Sequence, residues 1–147
     1  MGPRSAGRAP RHRPARCRRE ATMIHLDTSF LIHSLVSSSP ADRRLRGWLR
    51  DGDELAISSV AWAEFLCGPI GDLEIESVTA MLGEIVAYTA VDSETTARLF
   101  NLGGRRRGSL PDCMIAAVAV RAGASLATVN PGDFRRFAPA ALAIVEP

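Results

Sequence analysis

Short apolar runs alternate with segments of helical periodicity along the chain from residue 23 onward. The apolar runs predict strands and the longer periodic segments predict helices. The predicted strands cover residues 23–26, 55–57, 85–91, 125–128 and 142–145, and the predicted helices cover residues 41–50, 59–66, 72–83, 93–102 and 110–122. This alternation favours an α/β three-layer sandwich, with a mainly parallel five-stranded sheet between helices on both faces.

Four acidic residues occupy positions where such a sheet places its ligands. Asp27 and Asp133 follow the first and fourth predicted strands, and ligands of parallel sheets bind beyond the carboxyl ends of the strands. Glu64 interrupts an apolar helical stretch, and Asp112 opens the most hydrophobic helix. Four carboxylates at one edge would repel one another unless a cation neutralised them. Hard oxygen ligands of this kind suit Mg²⁺ or Mn²⁺.

Each of these acids also has a purely structural interpretation. Asp27 could cap the turn after its strand, and Glu64 could be a solvated helix residue. Asp112 could complete a capping box with Ser109, because the two residues stand in the S-x-x-D pattern. Asp133 could cap a short helix over residues 134–137. Only the shared placement of the four acids favours a common site.

Four segments of the chain resemble the PIN domain, and within that family the VapC-type ribonuclease toxins of bacterial type II toxin–antitoxin systems. They are residues 24–32, 58–65, 110–117 and 127–134, in the order and spacing of the family. The resemblance implies a Mg²⁺- or Mn²⁺-dependent endoribonuclease that leaves a 5′-phosphate and a 3′-hydroxyl.

The resemblance also implies roles for individual residues. Asp27, Glu64 and Asp112 would ligate the metal, and Asp133 would complete the acidic pocket directly or through water. Thr28 and Thr128 would assist, and Asn130 stands where some relatives carry an acid. The implied partners are an RNA substrate, either transfer or ribosomal RNA, a VapB-like antitoxin and a second copy of the chain in a homodimer.

Arginines are concentrated in two parts of the sequence. Residues 1–22 carry seven arginines and one acid, and their composition is typical of a disordered segment. We expect this segment to be either a basic arm that contacts RNA or an extension arising from an upstream start or from expression. The predicted domain, residues 23–147, has 11 arginines against 15 acids, so local positive charge would have to hold RNA. Arg105, Arg106 and Arg107 form the densest cluster there, either as a phosphate clamp or as a solvated patch at a helix end.

Other functional classes remain open at this point. They are a DNA nuclease of the same fold, a Mg²⁺-dependent phosphoacceptor or phosphatase domain, and a binding module without catalysis. A receiver-type phosphoacceptor domain would call for a lysine after a late strand, and the chain contains no lysine. A phosphatase of the haloacid-dehalogenase type would show Asp-x-Asp where this chain has Asp27-Thr28-Ser29.

The sequence further predicts a cytoplasmic protein with no membrane segment. No apolar run reaches the roughly 18 residues that a bilayer-spanning helix needs, and no secretory signal is visible. The three cysteines match no zinc or redox motif, so we expect reduced thiols.

Overall fold

A computed structural model describes residues 21–147, which form a five-stranded sheet surrounded by helices. The strands are β1 Met23–Leu26, β2 Glu54–Ser58, β3 Glu84–Val86, β4 Ser125–Ala127 and β5 Ala143–Val145. Their order in the sheet is β3-β2-β1-β4-β5, and every neighbouring pair is parallel. The predicted α/β fold with a five-stranded sheet is therefore confirmed.

Seven helices and a 3₁₀ helix connect these strands in the described part of the chain. They are α1 Thr28–Ser34, α2 Pro40–Asp51, α3 Ser59–Leu66, α4 Asp72–Met81, α5 Ala90–Leu102, α6 Leu110–Ala122, α7 Pro131–Phe134 and the 3₁₀ helix Arg135–Ala140. Four consecutive β2 residues, 55–58, are buried. Because successive side chains of a strand point to opposite faces, this burial means that the sheet is covered on both sides.

Local sequence signals explain where several helices begin and end. The Ser39 hydroxyl accepts a hydrogen bond from the Asp42 amide at 3.0 Å, and Pro40 occupies the first turn of α2. Gly52 ends that helix with a φ of 79°, a conformation that glycine adopts without strain. Ser58 caps α3 by accepting a hydrogen bond from the Ala61 amide at 3.1 Å. These contacts direct the chain from each helix into or out of the sheet.

Several predicted element boundaries are wrong, and one of them is the start of the helix predicted over residues 93–102, which begins at Ala90. The third strand ends at Val86 rather than at residue 91, because the chain leaves the sheet to begin α5 at Ala90. Arg121 holds the connection between β3 and α5 by donating hydrogen bonds to Asp92 at 2.8 Å and to the Ala87 carbonyl at 2.7 Å. The helix predicted over residues 72–83 ends at Met81.

A further wrong boundary lies near the end of the chain, where residues 134–137 do not form one helix. α7 ends at Phe134 and the 3₁₀ helix follows it. The helix α1 was not predicted at all.

The Arg-rich extension falls outside the described residues except for Ala21 and Thr22. Within residues 21–147, no helix is long and apolar enough to cross a membrane.

His25 is an unusual member of the core. It lies in the central strand β1 with 1% of its surface exposed, and neither ring nitrogen has a hydrogen-bond partner among the described residues. Burial lowers the pKa of His25 to about 4, and the positive charge of Arg121 acts in the same direction. The imidazole is therefore neutral in the folded protein at physiological pH, and its burial costs stability.

Candidate functional site

An open cavity of about 800 Å³ lies beyond the carboxyl ends of β1 and β4. The four acids singled out from the sequence, Asp27, Glu64, Asp112 and Asp133, all line it, together with Thr28, Ser29 and Asn130. They reach it from separate parts of the chain. The topology of the sheet thus brings together residues that are up to 106 positions apart.

Two hydroxyl groups hold the Asp27 carboxylate. Ser29 and Thr128 each donate a hydrogen bond to Asp27 Oδ2, at 2.5 and 2.9 Å. The backbone amide of Asp27 bonds to the Ala127 carbonyl at 2.9 Å, which ties the end of β1 to the end of β4. Asp27 precedes α1 but makes no side-chain capping bond to it, so its carboxylate is directed to these hydroxyls instead.

A hydroxyl also holds Glu64, another of the acids that line the cavity. Thr28 Oγ1 lies 2.8 Å from Glu64 Oε2, to which it donates, and 3.2 Å from the Ala61 carbonyl. This contact links the first residue of α1 to α3. Glu64 is exposed, and the contact fixes one of its oxygens while the other remains available.

The carboxyl of Asp112 has a raised pKa. Burial is the largest of the causes that raise this pKa to about 6. The negative charges of Asp133, Asp27 and Glu64 raise it as well, while the positive charge of Arg136 lowers it. The capping-box interpretation of Asp112 is wrong, because Ser109 makes no side-chain cap bond. Its hydroxyl donates instead to the Arg106 carbonyl at 2.7 Å.

Asp133 and Asn130 belong to the segment that follows β4. Asp133 lies within α7 rather than in front of a helix, so the capping interpretation of this residue is also wrong. Asn130 precedes α7, and its backbone N–H donates to Thr128 Oγ1 at 3.0 Å. Thr128 thereby connects Asn130 to Asp27, which gives this buried threonine a defined structural role at the site.

The residues of the cavity fit a divalent cation in their chemistry. The four carboxylates, the hydroxyls and the Asn130 carbonyl offer oxygen donors, and the thiol of Cys67 also lines the cavity. The mutual repulsion of the carboxylates would be relieved by a positive charge. Within residues 21–147, however, no three His, Cys, Asp or Glu side chains stand close enough to hold a metal ion as they are placed. The carboxylates therefore share a cavity without meeting at one point, and they would have to draw together around an ion.

Two residues near these acids were not anticipated from the sequence. Ser29 is one of them, although it stands inside the Asp27-Thr28-Ser29 run that the sequence did single out. The other is Arg136, whose Nη2 lies 3.9 Å from Asp112 Oδ2. No local sequence signal distinguishes Arg136 from the neighbouring Arg135.

The arginine cluster between α5 and α6 lies outside this cavity. Arg105, Arg106 and Arg107 are all exposed, and none of the three is among the residues that line the cavity. The cluster follows Gly103 and Gly104 and precedes Gly108, and Gly104 and Gly108 have φ values of 73° and 80°. The predicted clamp is thus a surface loop beside the site rather than a part of its wall.

Replacing Asp112 by asparagine should stabilise the metal-free protein at neutral pH. The folded-state pKa of about 6 lies above the ordinary value of 3.8, so ionised Asp112 destabilises the fold once the pH rises through this interval. We expect the melting temperature of Asp112→Asn in EDTA to exceed that of the wild type by about 3 °C at pH 7.5. The difference should disappear near pH 3, below both pKa values, where the wild-type carboxyl is protonated in both states.

Asp51→Asn, which removes an exposed charge from the last residue of α2, is the matched control for this measurement. It should leave the melting temperature unchanged at both pH values. A lower melting temperature for Asp112→Asn than for the wild type at pH 7.5 would contradict the crowding of carboxylates at the site.

Comparisons with known proteins agree with this architecture. A family model described as PIN domain matches residues 24–139. Among curated proteins, none matches the sequence significantly.

Three solved structures illustrate the likeness. VapBC2 from Rickettsia felis bound to a promoter DNA fragment is 20% identical, covers 86% of this chain and 99% of that chain, and has a TM-score of 0.69. VapBC-1 from nontypeable Haemophilus influenzae is 20% identical, and the match covers 85% of this chain and 98% of that chain with a TM-score of 0.65. A toxin–antitoxin complex from Klebsiella pneumoniae is 24% identical, and the match covers 83% of this chain and 95% of that chain with a TM-score of 0.64. At these identities the likeness establishes the fold.

Proposed function

Because the chain belongs to the PIN domain family, whose model matches residues 24–139, we propose that it is a Mg²⁺- or Mn²⁺-dependent endoribonuclease of the VapC toxin type. The observation that carries the proposal is the convergence of four carboxylates on one open cavity at the carboxyl edge of a parallel sheet. The raised pKa of Asp112 supports it, because crowded carboxylates gain most from a bound cation.

Asp27, Glu64 and Asp112 would hold the cation, and Asp133 would complete its surroundings directly or through water. A divalent ion bound there supplies Lewis acidity, which activates water near neutral pH and neutralises charge on the phosphodiester. Thr128 and Ser29 keep the Asp27 carboxylate in one orientation, and Thr28 does the same for Glu64. Ligands that are fixed in advance lose less entropy when the ion and the substrate bind.

The same carboxylates are the proton acceptors available to the reaction. The lining that the described residues provide contains no histidine and no lysine, so an aspartate or glutamate would orient the attacking water. Attack of that water on phosphorus would form the new P–O bond and break the bond to O3′. The proton of the water would pass to a carboxylate or to solvent, and O3′ would take up a proton from solvent and leave as a hydroxyl. The products would be a 5′-phosphate and a 3′-hydroxyl.

Incubation of the protein with RNA and DNA of the same sequence tests this function. We expect Mg²⁺ or Mn²⁺ to support cleavage of the RNA and EDTA to abolish it, with 5′-phosphate ends on the products. Cleavage of the DNA alone would make the protein a DNA nuclease of the same fold. Absence of cleavage of either polymer in the presence of metal would favour a binding module.

We also propose a VapB-like antitoxin as the natural inhibitor and a homodimer as the assembled state. Similar structures are described as VapBC complexes or as toxin–antitoxin complexes, which supports a partner of this kind. The acidic cavity would accept an arginine of the inhibitor, because a guanidinium can donate two parallel hydrogen bonds to one carboxylate. Helical surfaces such as α4, where Leu73 is 77% exposed, are suited to the contact between two copies.

The cluster Arg105–Arg107 is proposed to hold the RNA backbone beside the cavity. Replacing all three arginines by alanine should weaken RNA binding and reduce the slope of log Kd against log salt by about 2, since each phosphate contact releases condensed counterions. The fold should be unaffected, because the side chains are exposed. Binding isotherms at several salt concentrations provide the measurement.

A triple alanine replacement of Arg43, Arg46 and Arg50 removes the same charge from the exposed side of α2, outside the cavity lining. It is the matched control and should change the slope much less. If the loop variant binds RNA like the parent while deletion of residues 1–22 abolishes cleavage, the N-terminal arginines are the RNA-binding element and the loop is not.

A further inference from the structure

Arg136 is held in a fixed position next to the acidic cavity. Its guanidinium carbon lies 4.8 Å from the centre of the Phe137 ring, a cation–π contact with a buried residue. On another side it packs against the backbone of Gly103, where an added Cβ would lie 3.2 Å from both Cδ and Nε of the arginine. Only 16% of the side chain is exposed. The arginine therefore has little freedom to reorient.

Despite this confinement, the hydrogen-bonding capacity of Arg136 is unused in the described part of the chain. Its Nε is buried and has no partner, and the contact with Asp112 is a long ion pair of 3.9 Å without a hydrogen bond. Arg121 shows the contrast, because it donates at 2.8 Å to Asp92 and at 2.7 Å to Ala87. A guanidinium that only stabilised the fold would be expected to use its donors as Arg121 does.

Arg136 also lies between two regions that the proposed function assigns to RNA. On one side is Asp112 at the wall of the cavity, and on the other is Gly103, which begins the loop that carries Arg105, Arg106 and Arg107. Arg136 itself is not among the residues that line the cavity. Its position suits a phosphate that flanks the scissile one rather than the scissile phosphate.

We propose that Arg136 is a substrate-binding residue that contacts a flanking phosphate of the RNA and connects the acidic cavity to the Arg105–Arg107 loop. This inference rests on the proposed function. A guanidinium matches the two oxygens of a phosphate with paired donors, and a fixed one loses little entropy on binding. In a domain that is net negative, a positive charge at this point also offsets the repulsion between the carboxylates and the RNA.

The test compares Arg136→Gln with Arg135→Gln in steady-state RNA cleavage at several salt concentrations. Arg135 is the matched control, since it is adjacent in sequence but pairs with Glu146 at 2.8 Å. We expect Arg136→Gln to raise KM about tenfold with kcat nearly unchanged, because a contact made equally in the ground and transition states affects binding alone. The slope of log KM against log salt should fall by about 0.7, the value for one phosphate of a single strand.

Gly103→Ala provides a second variant that keeps every charge. Its added methyl group would lie 3.2 Å from Cδ and Nε of Arg136 and 3.3 Å from the Leu99 carbonyl oxygen. The arginine would have to shift away from this contact, so KM should rise in this variant as well. Arg135→Gln should change KM less than twofold. The affinity for Mn²⁺, measured separately from activity by electron paramagnetic resonance, should not fall in any of the three variants.

Three results would overturn the inference. A fall in kcat or in Mn²⁺ affinity with KM unchanged would make Arg136 a residue that positions Asp112. Equal KM values for Arg136→Gln and Arg135→Gln would remove any special role. Loss of the folded state in Arg136→Gln, together with wild-type KM in Gly103→Ala, would make the arginine structural. Absence of RNA cleavage by the wild type would instead overturn the proposed function, and this inference with it.

Discussion

Replacing Asp27 by asparagine should lower the rate of metal-dependent RNA cleavage on the order of 10³-fold, which corresponds to about 4 kcal/mol of transition-state stabilisation. The substitution preserves the volume of the side chain and its position after β1 but removes the negative charge of a proposed metal ligand. Glu64→Gln and Asp112→Asn should have effects of the same size, because each removes one of the carboxylates that would hold the cation. Initial rates with a fixed RNA at saturating Mg²⁺ provide the measurement.

Two further variants make this comparison specific. Asp51→Asn removes an exposed acid from the end of α2 and should retain the wild-type rate. Thr128→Val removes a hydroxyl that donates to Asp27 at 2.9 Å and should give an intermediate loss, since Ser29 still holds the carboxylate. If purified Asp27→Asn cleaved RNA at the rate of Asp51→Asn, Asp27 would not be a ligand of the catalytic ion.

Replacing His25 by leucine should stabilise the protein and reduce its sensitivity to acid. At pH 7 the gain should be about 2 kcal/mol, because the substitution removes two buried ring nitrogens that have no partner. The folded-state pKa of about 4 lies below the ordinary value of 6.5, so the unfolded chain takes up the proton first as the pH falls. Between pH 6.5 and 4 the wild type should therefore lose up to about 3 kcal/mol that the variant keeps.

Urea unfolding at pH 7.0, 5.5 and 4.5 measures this difference. Asp112 contributes in the opposite sense, because its raised pKa makes the folded protein take up a proton between about pH 6 and 4. It is present in both proteins, so the difference between His25→Leu and the wild type isolates the histidine. His33→Gln, at an exposed position of α1, should show no such difference. A His25→Leu variant that is less stable than the wild type at every pH would mean that the imidazole has a favourable partner.

Local patterns were sufficient to predict the strand that leads to Asp27 and the helices that carry Glu64 and Asp112. Each strand is a short apolar run, and Asp27 follows its strand directly in the sequence. The helix α1 was missed because residues 28–34 are too few to show a helical periodicity, and only Phe30, Leu31 and Ile32 among them are apolar. The helix starts there because the chain has to turn away at the end of a buried strand, and this depends on tertiary structure.

The features that sequence patterns could not supply depend on contacts between distant residues. The end of β3 is determined by the pairing of Asp92 with Arg121, which are 29 positions apart. The significance of Arg136 depends on Asp112 and Gly103, which precede it by 24 and 33 positions. Neither relation has a periodicity or a motif that a local pattern could reveal.

Binding of Mn²⁺ to the metal-free protein is the most direct test of the central claim, that the four carboxylates form one cation site. The measurement is the loss of the free-ion signal in electron paramagnetic resonance as protein is added, and it requires neither RNA nor turnover. We predict saturable binding to the wild type and to Asp51→Asn, and at least tenfold weaker binding to Asp27→Asn, Glu64→Gln and Asp112→Asn. Binding of equal strength in all five proteins, or binding to none of them, would contradict the account.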